Sequence, residues 1–164
     1  MQPADIPEIP NPGEEPRDFA ERMAREKATI VAQERPQDLV LGADTVVVVD
    51  SEILGKPENS ADVARMLRLL SGRKHIVITA VCLLGAEQNF ADVRSETTLV
   101  TMDAISEPEI LSYAEGEEPK DKAGAYAIQG GASRWISGIE GDYFNVVGLP
   151  MSLVYRMLRE HGAL

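Results

Sequence analysis

Four polar side chains are of types that could act together on a phosphate-containing ligand: Asp44, Lys56, Lys122 and Gln129. Lysine ammonium groups bind phosphate as point charges, and an interior carboxylate can hold Mg²⁺ or orient a water molecule. A glutamine amide offers one donor and one acceptor to the edge of a base. These residue types are compatible with a site for a small phosphate-containing molecule.

Asp44 interrupts a long apolar stretch. Residues 39–41 and 46–49 are mostly β-formers, a pattern typical of a strand buried on both faces. An ionised carboxylate there is costly unless a cation, a metal or a hydrogen-bond network holds it. The sequence therefore predicts that Asp44 has a partner, either Lys56 or a bound metal. The alternative is that residues 42–44 form a turn and that the strand begins immediately after it.

Composition narrows the range of partners. The chain of 164 residues predicts one domain, and its formal charge of -11 argues against a nucleic-acid polymer or an anionic membrane surface. The single cysteine, Cys82, excludes an intramolecular disulfide and a cysteine zinc site, and its apolar neighbours predict a buried, inert thiol. We expect a cytoplasmic protein, since no apolar run is long enough for a membrane span and the first residues do not resemble a signal peptide.

Periodicity and capping signals predict alternating helices and strands. An antiparallel hairpin is expected from the strands at 75–84 and 90–102. Helices are expected at 17–34, from Asn59 to Leu70, after the capping box Ser106–Glu109, and after Pro150. Residues 117–131 are expected to form a loop, 134–139 a short strand and 141–145 a turn. Together these predict an α/β or α+β fold with a mixed parallel and antiparallel sheet.

Several separated blocks of sequence carry a family resemblance: residues 41–47, 54–57, 66–72, 121–126, 128–130, 141–143 and 145–150. In this order they resemble the Maf family of nucleoside triphosphate pyrophosphatases, over almost the whole chain. The resemblance implies the α/β fold shared with inosine triphosphate pyrophosphatases, a divalent metal cation (Mg²⁺ or Mn²⁺) and a possible homodimer. The implied reaction hydrolyses a nucleoside triphosphate to the monophosphate and pyrophosphate.

The resemblance also implies roles for individual residues. Asp44 matches the catalytic carboxylate, a proton acceptor, and Glu8 matches an acidic residue near the metal. Three positions match lysines of the phosphate-binding cleft: Lys27, Lys56 and Lys122. Thr45 and Gln129 match the positions that distinguish the branch acting on dTTP and UTP from the branches acting on methylated GTP or CTP. Gln129 can accept from the ring N–H of uracil or thymine and donate to a carbonyl oxygen.

One segment that the resemblance predicts does not precede Asp5. Family members begin with a strand and a Ser-x-Ser-Pro-Arg-Arg loop that leads into a helix, and this loop binds the triphosphate. We therefore expect a domain that is truncated at its N-terminus relative to the family. Turnover should be crippled, because arginine forks supply much of the charge neutralisation in phosphoryl transfer. A sheet that lacks one strand should also have an exposed edge. Two alternatives follow: a nucleotide-binding regulator of septum formation without turnover, or a hydrolase of another nucleotide, such as a modified purine triphosphate.

Overall fold

The computed structural model describes residues 6–85 and 89–164, which fold around a five-stranded sheet. The helices are α1 (Pro16–Glu34), α2 (Ser60–Leu70), α3 (Glu107–Ala114), α4 (Tyr143–Val147) and α5 (Met151–Glu160). The strands are β1 (Leu39–Val49), β2 (Glu52–Leu54), β3 (Lys74–Gly85), β4 (Phe90–Met102) and β5 (Ile136–Glu140). None of the described helices is both long enough and apolar enough to cross a membrane.

The sheet order is β2-β1-β3-β4-β5, and each neighbouring pair is antiparallel. The α/β class is confirmed, but the parallel pairs expected in a mixed sheet are not among the described strands. A tight turn at Asp50 and Ser51, both at positive φ, reverses the chain between β1 and β2. Helix α2 then carries it back, so that β3 runs in the direction of β2 and antiparallel to β1, which lies between them.

Strand β1 is continuous, and the alternative of a turn at residues 42–44 is wrong. Asp44 pairs with Ala80 and Thr45 with Thr79 in an unbroken register with β3. On the other side, β2 pairs only with Val47–Val49. The edge of residues 39–46 therefore has no neighbouring strand among the described residues.

Helix α1 packs closely on β1 because its inner face is built of small residues. Ala24 and Ala28 are fully buried against the strand at Gly42. A Cβ atom added at Gly42 would meet the carbonyl oxygen of Ala24 and lie 2.8 Å from the amide nitrogen of Ala28. This close approach brings Lys27 of the same helix over the strand.

We expect Gly42→Ala to lower the free energy of unfolding by about 2–3 kcal/mol, because the added methyl group meets backbone atoms of α1 that cannot rotate away. Urea denaturation measures the change. Gly55→Ala is the matched control, since a Cβ atom at Gly55 meets nothing within 4 Å, and we expect it to stay within about 0.5 kcal/mol of wild type. Equal stability of the two variants would contradict the close contact.

The other face of the sheet carries the larger core, formed mainly by β1, α2 and α3 with the segment that follows α3. His75 of β3 is buried in it, and its Nε2 atom lies 2.7 Å from the hydroxyl of Tyr126. Its Nδ1 atom has no hydrogen-bond partner among the described residues. Burial lowers the pKa of His75 to about 4, so the ring is neutral in the folded protein near neutral pH.

The lowered pKa of His75 predicts acid sensitivity. Between pH 6.5 and about 4 the unfolded chain binds a proton at His75 that the folded protein does not, so stability falls as pH falls through this window. The full loss is about 3 kcal/mol. Urea denaturation at neutral and acidic pH measures it, and His75→Gln, which keeps a polar partner for Tyr126, should be less acid-sensitive. If acidification lowers the free energy of unfolding equally in wild type and His75→Gln, then His75 is not the source of the acid sensitivity.

Several local predictions are confirmed. The side chain of Asn59 caps α2 by accepting from the backbone N–H of Asp62 at 3.0 Å, and α3 begins at the predicted capping box. The thiol of Cys82 is fully buried, which raises its pKa to about 11, as expected for an inert cysteine. One local prediction is wrong: residues 143–147 form the short helix α4, which Asp142 caps, where a turn was expected.

The segment predicted as a loop, residues 117–131, is compact. It contains 3₁₀ turns at Glu118–Asp121 and Ala123–Ala125, and a third begins at Gly131. Gly124 has a φ of 69°, and its amide donates to the carbonyl oxygen of Gly55 at 3.0 Å. This contact holds the Lys122 segment against the end of β2. The expected strand at 134–139 forms as β5, shifted by one to two residues.

Candidate active site

Four charged side chains alternate in sign beside β1. Lys27 Nζ lies 2.5 Å from Asp44 Oδ1 and 2.7 Å from Glu8 Oε1. Lys56 Nζ lies 3.2 Å from the same Glu8 oxygen. Asp44 therefore has the partner that its burial requires, and this partner is Lys27, where we had expected Lys56 or a metal. Residue spacing alone placed Lys27 on a helix, where most lysines are solvated, and only the family resemblance assigned it to a phosphate-binding cleft.

The surroundings shift the pKa values of these groups in different directions. Burial raises the pKa of the Asp44 carboxyl, and the Lys27 ammonium offsets only part of this rise. Burial also opposes the charge on Lys27, but Asp44 and Glu8 outweigh it and raise the pKa of the ammonium. Burial likewise opposes the charge on Glu8, but Lys27 and Lys56 outweigh it and lower the pKa of that carboxyl. Asp44 is thus the carboxyl whose pKa moves toward neutral pH, which suits a proton acceptor.

These side chains open into a cleft of about 590 Å³, a size typical of small-molecule sites. The cleft curves around the exposed edge of β1. One half holds Glu8, Lys27 and Asp44, on the face that α1 covers. The other half lies on the opposite face, because successive side chains of a strand alternate. Thr45 belongs to this second half, which also has apolar walls: Val47, Val77, Tyr126, Val146 and Val147.

The structure brings together six of the seven predicted site residues. Glu8, Lys27, Asp44, Thr45, Lys56 and Lys122 all line the cleft. Lys122 enters from the segment held by Gly124, and its Nζ atom lies 3.1 Å from Asp121 Oδ2. Gln129 is exposed and is not among the residues that line the cleft. The neighbouring Ile128 is buried in the core, so the two side chains point in different directions.

The acidic pair fits a divalent cation. Glu8 and Asp44 both contact the Lys27 ammonium, so their carboxylates converge on one small region. Residues 6–85 and 89–164 contain no group of three or more His, Cys, Asp or Glu side chains arranged to hold a metal. Mg²⁺ is commonly bound by one or two carboxylates together with substrate phosphates and water. The donor set is therefore of the kind that holds a metal together with a phosphorylated ligand.

Comparison with known proteins matches residues 1–161 to the family described as "Maf-like protein". The chain belongs to the Maf family. A Maf-family relative from Koribacter versatilis, named dTTP/UTP pyrophosphatase, is 55% identical over 164 residues, which are 100% of this chain and 84% of the relative. Relatives with the same name from Syntrophomonas wolfei and Geobacter sulfurreducens are 50% and 47% identical, over 98% of this chain in each case and 85% and 84% of the relatives.

The sequence did not identify the apolar half of this Maf-family cleft. Its walls come from β1, β3, α4 and the segment that contains Tyr126, which are far apart along the chain. Tyr126, Val146 and Val147 lie inside blocks that carried the family resemblance, and this was the one available signal. Valines and a buried tyrosine have no distinctive chemistry, so their types alone predict a core position.

Proposed function

We propose that this chain hydrolyses dTTP and UTP, and modified pyrimidine nucleotides of the same shape, to the monophosphate and pyrophosphate, in the cytoplasm. Membership of the Maf family and the name shared by the relatives support this proposal. The observation that carries it is the single cleft in which Asp44 and Glu8 meet three lysines beside an apolar half. We further propose that the chain forms one Maf domain and a homodimer; light scattering at several protein concentrations tests the dimer.

Each charged residue has a proposed task in this reaction. Asp44 accepts a proton from a water molecule that attacks the phosphoanhydride linkage between the α- and β-phosphates. That linkage breaks and pyrophosphate leaves with the bonding electron pair. Lys27 holds Asp44 in place and neutralises the polyphosphate together with Lys56 and Lys122. The elevated pKa of Asp44 makes the proton transfer more favourable than it would be to an exposed aspartate.

The balance of charge in the cleft favours a divalent cation as cofactor. Among the described lining residues, three acids, Glu8, Asp44 and Asp121, formally cancel three lysines. A triphosphate brings several negative charges, which a neutral cleft does not compensate. We propose that Glu8 and Asp44 hold Mg²⁺ or Mn²⁺. When bound, the metal supplies positive charge to the phosphate oxygens.

Incubation with dTTP or UTP and Mg²⁺ or Mn²⁺ tests the function. We expect one pyrophosphate for each nucleoside monophosphate, and no release when a chelator is present. Nucleotide binding without pyrophosphate would overturn the proposal and favour a regulator of septum formation without turnover. Faster hydrolysis of a modified purine triphosphate would overturn the pyrimidine preference alone.

Gln129→Glu tests whether Gln129 takes part in base selection, as the family resemblance implies. A glutamate has no amide donor for a pyrimidine carbonyl, so we expect kcat/KM for dTTP and UTP to fall about tenfold or more, mainly through KM. Steady-state kinetics with both nucleotides measure the change. Gln33→Glu, a charge-matched control at the end of α1, should leave the kinetics unchanged. Unchanged kcat/KM in Gln129→Glu would remove this residue from base selection.

A further inference from the structure

A buried hydrogen-bond network lies behind Thr45. Thr45 Oγ1 is 2.9 Å from Thr79 Oγ1, which belongs to the neighbouring strand β3. The Thr79 hydroxyl donates to the backbone carbonyl oxygen of Asn145 at 2.8 Å, and the Thr79 amide donates to Asn145 Oδ1 at 3.0 Å. Thr79 and Asn145 are both fully buried. Thr45 is the member of this chain of contacts that lines the cleft.

Contacts on its far side lock the Asn145 side chain. Its Nδ2 group donates to the carbonyl oxygen of Val77 at 3.0 Å and to Thr98 Oγ1 at 2.9 Å. Because the Val77 carbonyl can only accept, the amide has one possible orientation. Thr98 in turn donates to the carbonyl oxygen of Asp142 at 3.1 Å. A satisfied network of this kind is rigid, since rotating any member leaves a buried polar group unpaired.

Counting protons fixes the direction of the contact between Thr45 and Thr79. A hydroxyl has one proton to donate and two lone pairs. The proton of Thr79 goes to the carbonyl oxygen of Asn145, which cannot donate in return. Thr79 therefore offers Thr45 a lone pair, and the proton of Thr45 must point at Thr79. Thr45 Oγ1 is left with lone pairs only toward the cleft, where it can accept a hydrogen bond but cannot donate one.

Thr45 and Gly148 are neighbours in the wall of the cleft. A Cβ atom at Gly148 would lie 3.5 Å from Thr45 Oγ1, and the φ of 114° at this glycine disfavours any other residue. Val47 and Val77 form apolar walls in the same half of the cleft. This half therefore suits a flat, largely apolar group that carries one N–H donor.

We propose that Thr79 and Asn145 are positioning residues that make Thr45 an acceptor for the N3–H group of uracil or thymine. The proposal rests on the proposed function, because it assumes a pyrimidine nucleotide in the cleft. A ring whose N3 carries no hydrogen would set its lone pair against that of Thr45, and the site would reject it. Cytosine is such a ring, so the network provides a reason to prefer UTP over CTP.

The pH dependence of KM for 5-fluoro-UTP tests this contact. Fluorine withdraws electrons, so N3–H ionises at lower pH in 5-fluorouracil than in uracil. From neutral to mildly alkaline pH, we expect KM for 5-fluoro-UTP to rise about tenfold or more relative to KM for UTP, because an anionic N3 then faces a lone pair. Both nucleotides carry the same triphosphate. Their ratio therefore cancels the titration of the charged groups in the cleft: Glu8, Lys27, Asp44, Lys56, Asp121 and Lys122.

Substitutions at Thr79 separate positioning from structure. Thr79→Val removes the acceptor for Thr45, whose proton can then turn to the cleft, so we expect the rise in the KM ratio to disappear. The carbonyl oxygen of Asn145 keeps a partner in this variant, since it also accepts from the Gly148 amide at 3.0 Å. Thr79→Ser keeps the hydroxyl and should restore the rise. Thr98→Val should lower stability without changing the ratio, because the contacts of Asn145 with the Val77 carbonyl and with the Thr79 hydroxyl remain.

The outcomes also distinguish this inference from the proposed function. The same pH series is measured as the Kd of 5-fluoro-UMP and of UMP by calorimetry, which needs no turnover. Suppose that the protein hydrolyses UTP and that the ratio of 5-fluoro-UTP to UTP KM values still rises with pH in Thr79→Val. This result would overturn the role of Thr79 and leave the proposed function intact. Suppose instead that the Kd ratio of 5-fluoro-UMP to UMP depends on pH in the wild-type protein but not in Thr79→Val, and that the wild-type protein releases no pyrophosphate from UTP. This result would support the base contact and overturn the proposed function.

Discussion

Replacing Asp44 by asparagine is expected to lower kcat for dTTP and UTP by about a thousandfold, because the amide cannot accept a proton from water. The fold should persist, since asparagine has nearly the same shape and its carbonyl oxygen can still accept from Lys27 Nζ, which lies 2.5 Å from Asp44 Oδ1. Pyrophosphate release measures kcat. Far-ultraviolet circular dichroism and a denaturation curve establish that the variant is folded.

Asp50→Asn is the matched control for this experiment. Asp50 follows the same strand, but it is exposed and pairs with Arg73 at 2.6 Å, away from the cleft. We expect its kcat to stay close to wild type. If a folded Asp44→Asn variant retains full activity, another group must accept the proton, and the proposed mechanism fails.

Lys27→Met is expected to have the second largest effect, on both activity and stability. The ammonium joins Asp44 and Glu8, so its removal leaves two partly buried carboxylates facing each other. Breaking such a pair is costly, and we expect the free energy of unfolding at neutral pH to fall by about 2–3 kcal/mol. Turnover should fall about a hundredfold, because Asp44 loses its positioning partner and the polyphosphate loses a cation.

The pH profile of Lys27→Met carries a signature that general destabilisation does not produce. Lys27 lowers the pKa of Asp44 against the effect of burial. Without it the pKa of Asp44 rises further, so the acidic limb of the kcat/KM profile should move to higher pH. Lys74→Met is the control: Lys74 is exposed and pairs with Glu140 at 2.7 Å, outside the cleft. An unshifted acidic limb in Lys27→Met would mean that another group sets it.

The helices and the central hairpin could be predicted from the sequence because their signals are local. The Asn59 cap, the Ser106–Glu109 capping box and the apolar periods of β3 and β4 each act within one turn or one strand. Helix α4 was missed because it has only five residues, and its stability depends on the burial of Asn145. An isolated helix of that length is not stable, so its sequence carries little helical signal.

The features of the candidate site also divide into those that the sequence predicted and those that depend on tertiary packing. The sequence by itself determined that an aspartate within a buried strand needs a partner, since an unpaired charge is costly in any apolar interior. It left open whether residues 42–44 belong to that strand. Only the tertiary structure decided that the partner is Lys27, because this depends on how closely α1 approaches β1 at Gly42. It also decided the direction of the Thr45 hydroxyl, since Thr79 and Asn145 meet Thr45 only after the sheet and α4 have packed together.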